Sequence, residues 1–525
     1  MESFIKRKCD FVVMDKKTIR IMLIAILVLG AFLRVYKIES ESFWIDEAAT
    51  MYTTRQAPSQ VIRDIYTTTI AAPEFFETGG TPPLYYVLAN YWTKLIGLSD
   101  AKLRLLSTLF GIISIYIIFL IGNLVFDYRA GLLSAFILSI NYAHINYSQE
   151  ARTYSLMVLL SLLSIYFLIK ALKENKIQHW AGYVLSSVSL IYTHYFGFLL
   201  LITEYLFLLF YIKNYFKFLK RIIVSGFCIF LLYLPWFPAI LRQVSDRGYL
   251  TLYLGKNLMF DLLKIFIQFN SWLTPDLQTR ISLRSLYHFS GDFRLSDLFK
   301  VSLSAYITIF SILALALLLS CFFMLSIVYN NKKTKNFDFK GNFYVFVLMW
   351  FTFPLIIMII ITLILPKSPV FGYMQHVLFV SPAYYLLVAN GITKSRFSKN
   401  IIILVILLLS IFPIYSYYAN YDKSQWREAI AYLKDNRYDH ELIVMNAANN
   451  VLPFSYYNPG TINAKGVKNV EELKAAIKDE QIIWLILSGD LLHDPKGTIK
   501  GYLDANYKLE KAREFTGLKL YRYVK

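Results

Sequence analysis

Two adjacent carboxylates, Asp46 and Glu47, stand in the segment SFWIDEAATMY, directly after the first long apolar run of the chain. Phe43 and Trp44 precede them, whereas a solvated loop more often carries small and polar residues. Aromatic residues beside acids indicate a site at the membrane surface. The alternative is a helix cap at Asp46. Adjacent helical residues point about 100° apart, so at most one of the two acids faces a given atom.

Three further polar clusters lie at the ends of apolar runs: HINYSQEARTY, YTHYFG and PKSPVFGYMQH. In the first, Glu150 and Arg152 are two positions apart, so they do not pair on one helix face and are available to other partners. The alternative for the first and third clusters is a set of interfacial anchors, a common role of Tyr, Lys and Arg. The alternative for His194 in YTHYFG is a structural histidine in a turn between spans. The candidate residues in these clusters are His144, Glu150, Arg152, Tyr154, His194, Tyr195, Lys367, Gln375 and His376.

Acids and cations in separate loops suit sugar transfer from a lipid-linked phosphate. The phosphate needs Arg, Lys or His to hold its charge, and it leaves as a stable anion. The acceptor hydroxyl needs a general base, which a carboxylate can provide. The set suits hydrolysis by two nearby carboxylates less well. A divalent metal ion on Asp46, Glu47, Glu150 and His144 is a second interpretation, although no compact ligand motif supports it.

Composition indicates an integral membrane protein. Of its 525 residues, 57% are apolar and 17% are charged, whereas soluble proteins carry about a quarter charged residues. The net charge of +19 comes from basic residues in short loops between apolar runs, so it indicates membrane orientation rather than nucleic-acid binding. The three cysteines suggest no disulfide framework. Glu204 lies inside an apolar run, where a bond to a neighbouring helix is expected.

The apolar runs predict eleven membrane spans joined by short loops. Every strongly basic loop then falls on the cytoplasmic side with the N-terminus, and the candidate clusters fall on the outer side. The outer loops are 39–102 and 241–300, and segment 83–97 is predicted to be an interfacial helix, with a re-entrant helix as the alternative. The predicted spans are 19–38, 103–126, 129–147, 152–171, 179–194, 196–213, 219–240, 301–329, 343–365, 372–393 and 400–418.

Residues 420–525 differ from the membrane part, 1–419, in being charged and in alternating helical and strand patterns. WREAIAYLKDN and VEELKAAIKDE predict helices. ELIVMN, IIWLILSG, YKLEKAREF and LKLYRYV predict strands. The tail is therefore expected to form a small α/β domain outside the membrane, on the side of the Asp46 loop.

Four ordered motifs resemble one family: SFWIDEAATMY, TPPLYYVLANYWTKLIGLSDAKLRLLSTLFG, INYSQEARTYSLMVLLSL and YTHYFGFLLL. They are similar to the GT-C fold membrane glycosyltransferases related to dolichyl-phosphate-mannose–protein mannosyltransferases, of the glycosyltransferase 39 type. The resemblance implies a polyprenyl- or dolichyl-phosphate sugar donor and inversion at the anomeric carbon. The acceptor is expected on the extracytoplasmic side, and no cofactor is predicted apart from the alternative metal ion. It matches Asp46 to the catalytic acid, Glu47 to its partner, and Glu150 and Arg152 to a motif near the donor phosphate.

Two positions depart from the family pattern. Thr81 stands where many relatives have His, and Gln375-His376 stands where many have an Arg-Tyr pair. Each change removes a candidate partner of the donor phosphate. The cations that could compensate are Lys94, Arg104, Lys367 and His376.

Three other classes stay open at this stage. A transporter or flippase of a lipid-linked sugar is disfavoured because no repeat is evident and the polar groups lie on one face. An oligosaccharide ligase or polymerase fits the same residues, and so does a non-catalytic scaffold.

Overall fold

The computed structural model describes residues 14–67, 81–245, 322, 339–364, 374–395, 397–420, 423–436, 441–447, 450–459, 464–478, 480–489, 494 and 496–525. The predicted span 301–329, apart from residue 322, and the outer loop beyond residue 245 lie outside these ranges.

The described membrane part is helical. Its helices are α1 (Lys16–Val35), α2 (Ile45–Thr54), α3 (Pro58–Thr67), α4 (Leu84–Ile96), α5 (Asp100–Val125), α6 (Tyr128–Ile140), α7 (Tyr142–Ser148), α8 (Tyr154–Glu174), α9 (Ile177–Ile191), α10 (Gly197–Phe210), α11 (Ile212–Tyr215), α12 (Leu219–Tyr233), α13 (Phe237–Ser245), α14 (Phe339–Ile364), α15 (Met374–Val377), α16 (Ser381–Lys394) and α17 (Lys399–Ala419).

Within the described ranges, seven helical segments are long and apolar enough to cross a membrane. α6 and α10 are shorter apolar helices. The protein is therefore a multi-pass membrane protein, as predicted, whereas the count of eleven spans stays a prediction. The seven segments are Lys16–Val35, Asp100–Val125, Tyr154–Glu174, Ile212–Gln243, Gly341–Ile361, Gln375–Lys394 and Lys399–Ala419.

The predicted span 129–147 is two helices, α6 and α7, rather than one. The chain breaks at Asn141, whose side chain accepts a hydrogen bond from the backbone N–H of His144 at 3.0 Å and so caps α7. Arg34 of α1 donates to the carbonyl oxygens of Leu138 and Ser139, in the last turn of α6, at 2.9 Å each. A cation satisfies the carbonyl groups that a helix end leaves without partners, so the break is stabilised from a neighbouring helix.

α7 packs closely on α5. A Cβ atom at Gly111 would overlap the side chain of Ser148, so glycine permits this approach. Thr108 of α5 donates to the backbone oxygen of Ser148 at 2.9 Å. These contacts hold the segment after α7, which carries Glu150 and Arg152, against the start of α5.

Glu204 joins α10 to two neighbouring helices, as its place in an apolar run predicted. Its carboxylate accepts hydrogen bonds from Ser164 of α8 at 2.8 Å and from Tyr183 of α9 at 3.1 Å. Burial of the acid is offset by these donors, so Glu204 stabilises the helix bundle.

Segment 83–97 forms the helix α4. With 13 residues α4 is about 20 Å long, too short to cross a hydrocarbon core of about 30 Å. Its Asn90 donates to the backbone oxygens of Thr54 and Gln56, at 2.8 and 2.7 Å. α4 therefore packs on α2, within the segment 39–102 that is predicted to be the first outer loop.

The C-terminal part is a five-stranded sheet in the order β2-β1-β3-β5-β4. β1 is parallel to β2 and β3, and the last two strands are antiparallel. Separate apolar clusters cover the two faces, with α18 and α19 on one face and α20 and α21 on the other. The predicted helices and strands are present. The elements are α18 (Trp426–Asn436), β1 (Leu442–Met445), α19 (Val451–Tyr457), β2 (Ala464–Gly466), α20 (Val470–Ala476), β3 (Ile482–Ser488), α21 (Thr498–Asn506), β4 (Lys508–Phe515) and β5 (Leu518–Val524).

Candidate functional site

The two adjacent acids of the first outer loop have opposite environments. Both lie in the first turn of α2, whose N-cap is Trp44, so Asp46 is inside the helix and does not cap it. The side chain of Asp46 is 37% exposed, whereas that of Glu47 is fully buried. The helical step between neighbours turns one carboxylate outward and the other into the protein, as expected.

Glu47 is held by two cations and one backbone amide. Its Oε1 accepts hydrogen bonds from Nε of Arg104 at 2.8 Å and from the backbone N–H of Ala151 at 2.9 Å. Its Oε2 accepts from Nη2 of Arg104 at 2.7 Å and from Nζ of Lys423 at 3.2 Å. Burial acts to raise the pKa of Glu47, but the charges and hydrogen bonds of these partners outweigh it and lower the pKa to about 2.

Asp46 faces Arg152. The Oδ2 atom of Asp46 lies 3.4 Å from Nη2 of Arg152, and Nη1 of Arg152 lies 3.4 Å from the hydroxyl of Tyr86. The hydroxyl of Tyr86 is in turn 3.1 Å from Oγ1 of Thr81. Thr81, one of the two departures from the family pattern, is therefore part of this site.

Arg152 lies in the bend between α7 and α8 and is largely buried. Its Nε atom is buried, and the described residues offer it no hydrogen-bond acceptor. The guanidinium therefore keeps a donor for an incoming anion, and Arg is well shaped to bind phosphate oxygens.

A line of aromatic and imidazole side chains runs from Arg152 to the late motif. The guanidinium carbon of Arg152 is 5.9 Å from the ring centre of Tyr154, and that ring is 6.3 Å from the ring of His194. The rings of His194 and His376 are also 6.3 Å apart. Gln375 accepts a hydrogen bond from the hydroxyl of Tyr147 at 2.9 Å. The bend after α7, the turn after α9 and α15 thus meet, although they are distant in sequence.

Two of the predicted site residues are committed to structural contacts. Arg104 binds Glu47 and also donates to the backbone oxygens of Ile38, Glu41 and Ser42, at 2.9, 2.7 and 3.0 Å. This full set of acceptors favours a structural role over phosphate binding. Tyr195 donates to Gln243 at 2.6 Å, which ties the turn after α9 to α13.

His144 is fixed by Arg34. Nη2 of Arg34 lies 2.8 Å from Nδ1 of His144, so the imidazole accepts there and carries its proton on Nε2. The described residues offer that buried Nε2 no partner. Since Nδ1 is occupied, this contact argues against metal binding through that nitrogen.

The other predicted residues are more scattered. Lys94 is exposed at the end of α4, with its ammonium 5.5 Å from the ring centre of Tyr91. Glu150 is buried in the bend that carries Arg152. Lys367 lies outside the described residues. Among the residues that the structure does describe, no three His, Cys, Asp or Glu side chains are grouped so as to hold a metal ion, so nothing supports the alternative metal site at Asp46, Glu47 and Glu150.

The sequence interpretation did not include three residues that shape the site. Tyr86 stands in the YY pair of α4, and an aromatic pair in an apolar segment does not stand out. Arg34 is a lone charge in the first apolar run, which is a usable signal because such charges are costly in a membrane. Lys423 had no local signal, since its partner Glu47 is 376 positions away.

Part of the chain matches a known protein family. Residues 80–238 match the family model described as dolichyl-phosphate-mannose-protein mannosyltransferase. The matched range contains Tyr86, Arg152 and His194. No curated protein matches the sequence significantly.

Solved structures share the fold. The apo oligosaccharyltransferase of Archaeoglobus fulgidus superposes with a TM-score of 0.54 at 12% identity, covering 91% of this chain and 70% of that one. The chain therefore has the GT-C fold of this membrane enzyme. The A. fulgidus enzyme AglB in complex with an inhibitory peptide and a dolichol-phosphate gives a TM-score of 0.50 at 13% identity, with 95% and 74% coverage. ArnT from Cupriavidus metallidurans gives 0.45 at 12% identity, with 96% and 98% coverage.

The resemblance seen in the sequence motifs is thus matched by the family model over residues 80–238. The GT-C fold with its small C-terminal sheet is as predicted. At these identities the solved structures establish the fold alone, so the roles of individual residues are argued from the site itself.

Proposed function

We propose that the protein is a glycosyltransferase that moves a sugar from a polyprenyl- or dolichyl-phosphate donor to a hydroxyl group of an acceptor on the outer face, with Asp46 as the general base. The observation that carries the proposal is the separation of the adjacent acids. Asp46 is accessible and faces Arg152, whereas Glu47 is buried between Arg104 and Lys423. A base must reach the hydroxyl that it deprotonates, and only Asp46 of this pair does so.

The donor phosphate is proposed to bind between Arg152, His194 and His376. Arg152 supplies a charged, planar donor group whose buried Nε has no acceptor among the described residues. The Nδ1 atom of His194 accepts from the backbone N–H of Phe196 at 3.2 Å, so its Nε2 is left to donate. The family description names a dolichyl-phosphate sugar, and the AglB structure holds a dolichol-phosphate, which supports a donor of this class.

The reaction is a single displacement. The acceptor oxygen bonds to the anomeric carbon while the bond from that carbon to the phosphate oxygen breaks. The hydroxyl proton moves to the carboxylate of Asp46, and the lipid phosphate leaves as an anion stabilised by Arg152. One displacement inverts the anomeric centre.

The active site and the C-terminal domain, residues 420–525, are proposed to lie on the non-cytoplasmic side, with the N-terminus in the cytoplasm. The Lys/Arg-rich loops support this orientation because such loops stay in the cytoplasm. Lipid donor then arrives from the membrane and acceptor from outside.

The test is transfer by the purified protein. Labelled polyprenyl- and dolichyl-phosphate sugars are incubated with the wild-type protein and with Asp46→Asn, with and without hydroxyl acceptors. Consumption of the donor by the wild type alone supports the proposal. No consumption with any donor, together with movement of intact donor across liposomes, would favour a transporter.

Oligosaccharide transfer is a second candidate because the fold is shared with an oligosaccharyltransferase. The same incubation with a lipid-pyrophosphate-linked oligosaccharide separates the two. If that donor is consumed and the monophosphate sugars are not, the first proposal is wrong and the second is supported.

A further inference from the structure

A buried lysine joins the C-terminal domain to α2 and to the bend after α7. Lys423, at the start of that domain, is 8% exposed. Its Nζ atom donates to Oε2 of Glu47 and to the backbone oxygen of Gln149, both at 3.2 Å. One ammonium group therefore bridges α2, which carries Asp46, and the bend that carries Arg152.

Glu47 makes the same connection from the opposite side. Its Oε1 accepts from the backbone N–H of Ala151, directly before Arg152, while Glu47 itself directly follows Asp46. The pair Glu47–Lys423 thus connects the segment that carries Asp46 to the segment that carries Arg152.

A second set of contacts joins the domain to the start of α5 and to the residues just before α2. Asp100, at the start of α5, binds Nη2 of Arg427 and the hydroxyl of Tyr457, each at 2.5 Å. That hydroxyl also lies 2.6 Å from the backbone N–H of Phe43, just before α2. The rings of Phe43 and Tyr456 are 5.2 Å apart. α2 is therefore clamped by α19 as well as by Lys423.

We propose that Lys423 is a positioning residue of this glycosyltransferase: by bridging Glu47 and Gln149 it holds Asp46 at its working distance from Arg152, and so makes turnover depend on the C-terminal domain. This rests on the proposed role of Asp46. Lys423 touches neither donor nor acceptor, and the donor contacts at His194 and His376 lie beyond the bend. Its loss is therefore expected to lower kcat and to leave donor affinity nearly unchanged.

The test compares Lys423→Met, Lys423→Gln and Lys423→Arg in the full chain. Small misplacements of reacting groups cost up to about a hundredfold in rate, so Lys423→Met should lose roughly 10- to 100-fold in kcat with little change in the KM for donor. Lys423→Arg keeps both bonds and should restore most of the rate, and Lys423→Gln should lie between. Lys500→Met is the matched control, because it removes an exposed Lys–carboxylate pair, at 2.7 Å, from the same domain.

A second measurement does not depend on activity. Hydrogen exchange of the purified protein should speed up in peptides covering 45–54 and 148–153 in Lys423→Met and not in Lys500→Met. Should Lys423→Met fail to fold, Lys423→Gln serves in both measurements. Normal kcat and unchanged exchange in the folded variant would overturn the inference. If the wild-type protein transfers no sugar but exchange is still faster in Lys423→Met, the proposed function is refuted and the bridging role of Lys423 is kept.

Discussion

The carboxylate of Asp46 lies 3.4 Å from the guanidinium of Arg152, at the meeting point of the first outer loop and the bend after α7. Asp46→Asn keeps the size and the hydrogen-bonding oxygen but cannot take a proton. We expect a folded protein with normal donor binding and a turnover lower by about a hundredfold or more. Steady-state kinetics and binding of labelled donor measure the two effects separately.

Asp64→Asn is the matched control for that experiment, because Asp64 lies on α3 in the same outer loop and is bonded only locally, to Gln60, in the contacts that the structure describes. It should retain activity. If folded Asp46→Asn transfers sugar at a near-normal rate, Asp46 is not the base, and Glu150 becomes the residue to test.

Arg152→Ala should weaken donor binding. A hydrogen bond to a charged group contributes about 1.5–3 kcal/mol, so the Kd for a polyprenyl phosphate should rise by roughly 10- to 150-fold. Titration of the purified variants with the lipid phosphate measures this change. Arg63→Ala, which removes an exposed cation from α3, should bind as the wild type does. Equal binding by both variants would mean that the phosphate binds elsewhere.

Glu47→Gln should lower the thermal stability of the protein more than its turnover. The amide leaves the buried charges of Arg104 and Lys423 without their anion, and breaking one side of a buried ion pair costs about 3–5 kcal/mol. Thermal unfolding in detergent should show a lower midpoint for Glu47→Gln than for Asp46→Asn. A midpoint equal to that of the wild type would contradict the structural role assigned to Glu47.

Acid should remove the same contribution from the wild-type protein. The pKa of Glu47 is lowered to about 2, below the ordinary value of about 4.3. A lowered pKa gives stability that is present above the unfolded value and is lost as the pH falls towards the folded value. The wild-type midpoint should therefore fall as the pH drops from about 4.3 towards 2, and this component should be absent from Glu47→Gln.

The orientation can be checked by thiol labelling. On a background with Cys9, Cys228 and Cys321 replaced by serine, Lys511→Cys in the exposed strand β4 should react with an impermeant reagent in intact cells. Lys176→Cys, in the loop between α8 and α9, should react only after lysis. The opposite pattern would place the active site in the cytoplasm.

Much of the helical fold was predictable because membrane helices are long and uniformly apolar. The start of α5 and the whole of α17 agree with the predicted spans to within a few residues. The break between α6 and α7 was not predicted, although Asn141, a residue type favoured at helix N-caps, stands at that point of the run 129–147. The break depends on Asn141 and on Arg34, which comes from another helix.

The residue types of the site were predictable from the sequence, but the role of each residue was not. Local spacing indicated that Asp46 and Glu47 point apart. It could not indicate which of them is buried, because that depends on Arg104 and Lys423. Likewise, Arg104 is a plausible phosphate ligand by charge, but three backbone oxygens and Glu47 already surround it. Burial and long-range partners decide such roles, and neither is encoded locally.

The distance of 376 positions between Glu47 and Lys423 also has a consequence for biosynthesis. Ribosomes add about 5–20 residues per second, so the acidic loop leaves the ribosome on the order of tens of seconds before the lysine that completes its ion pair. During that interval Glu47 has Arg104 but lacks its second cation. This ion pair is therefore completed only after the segment that follows α17 has been synthesised, and truncated chains that end before residue 423 are expected to be inserted in the membrane but inactive.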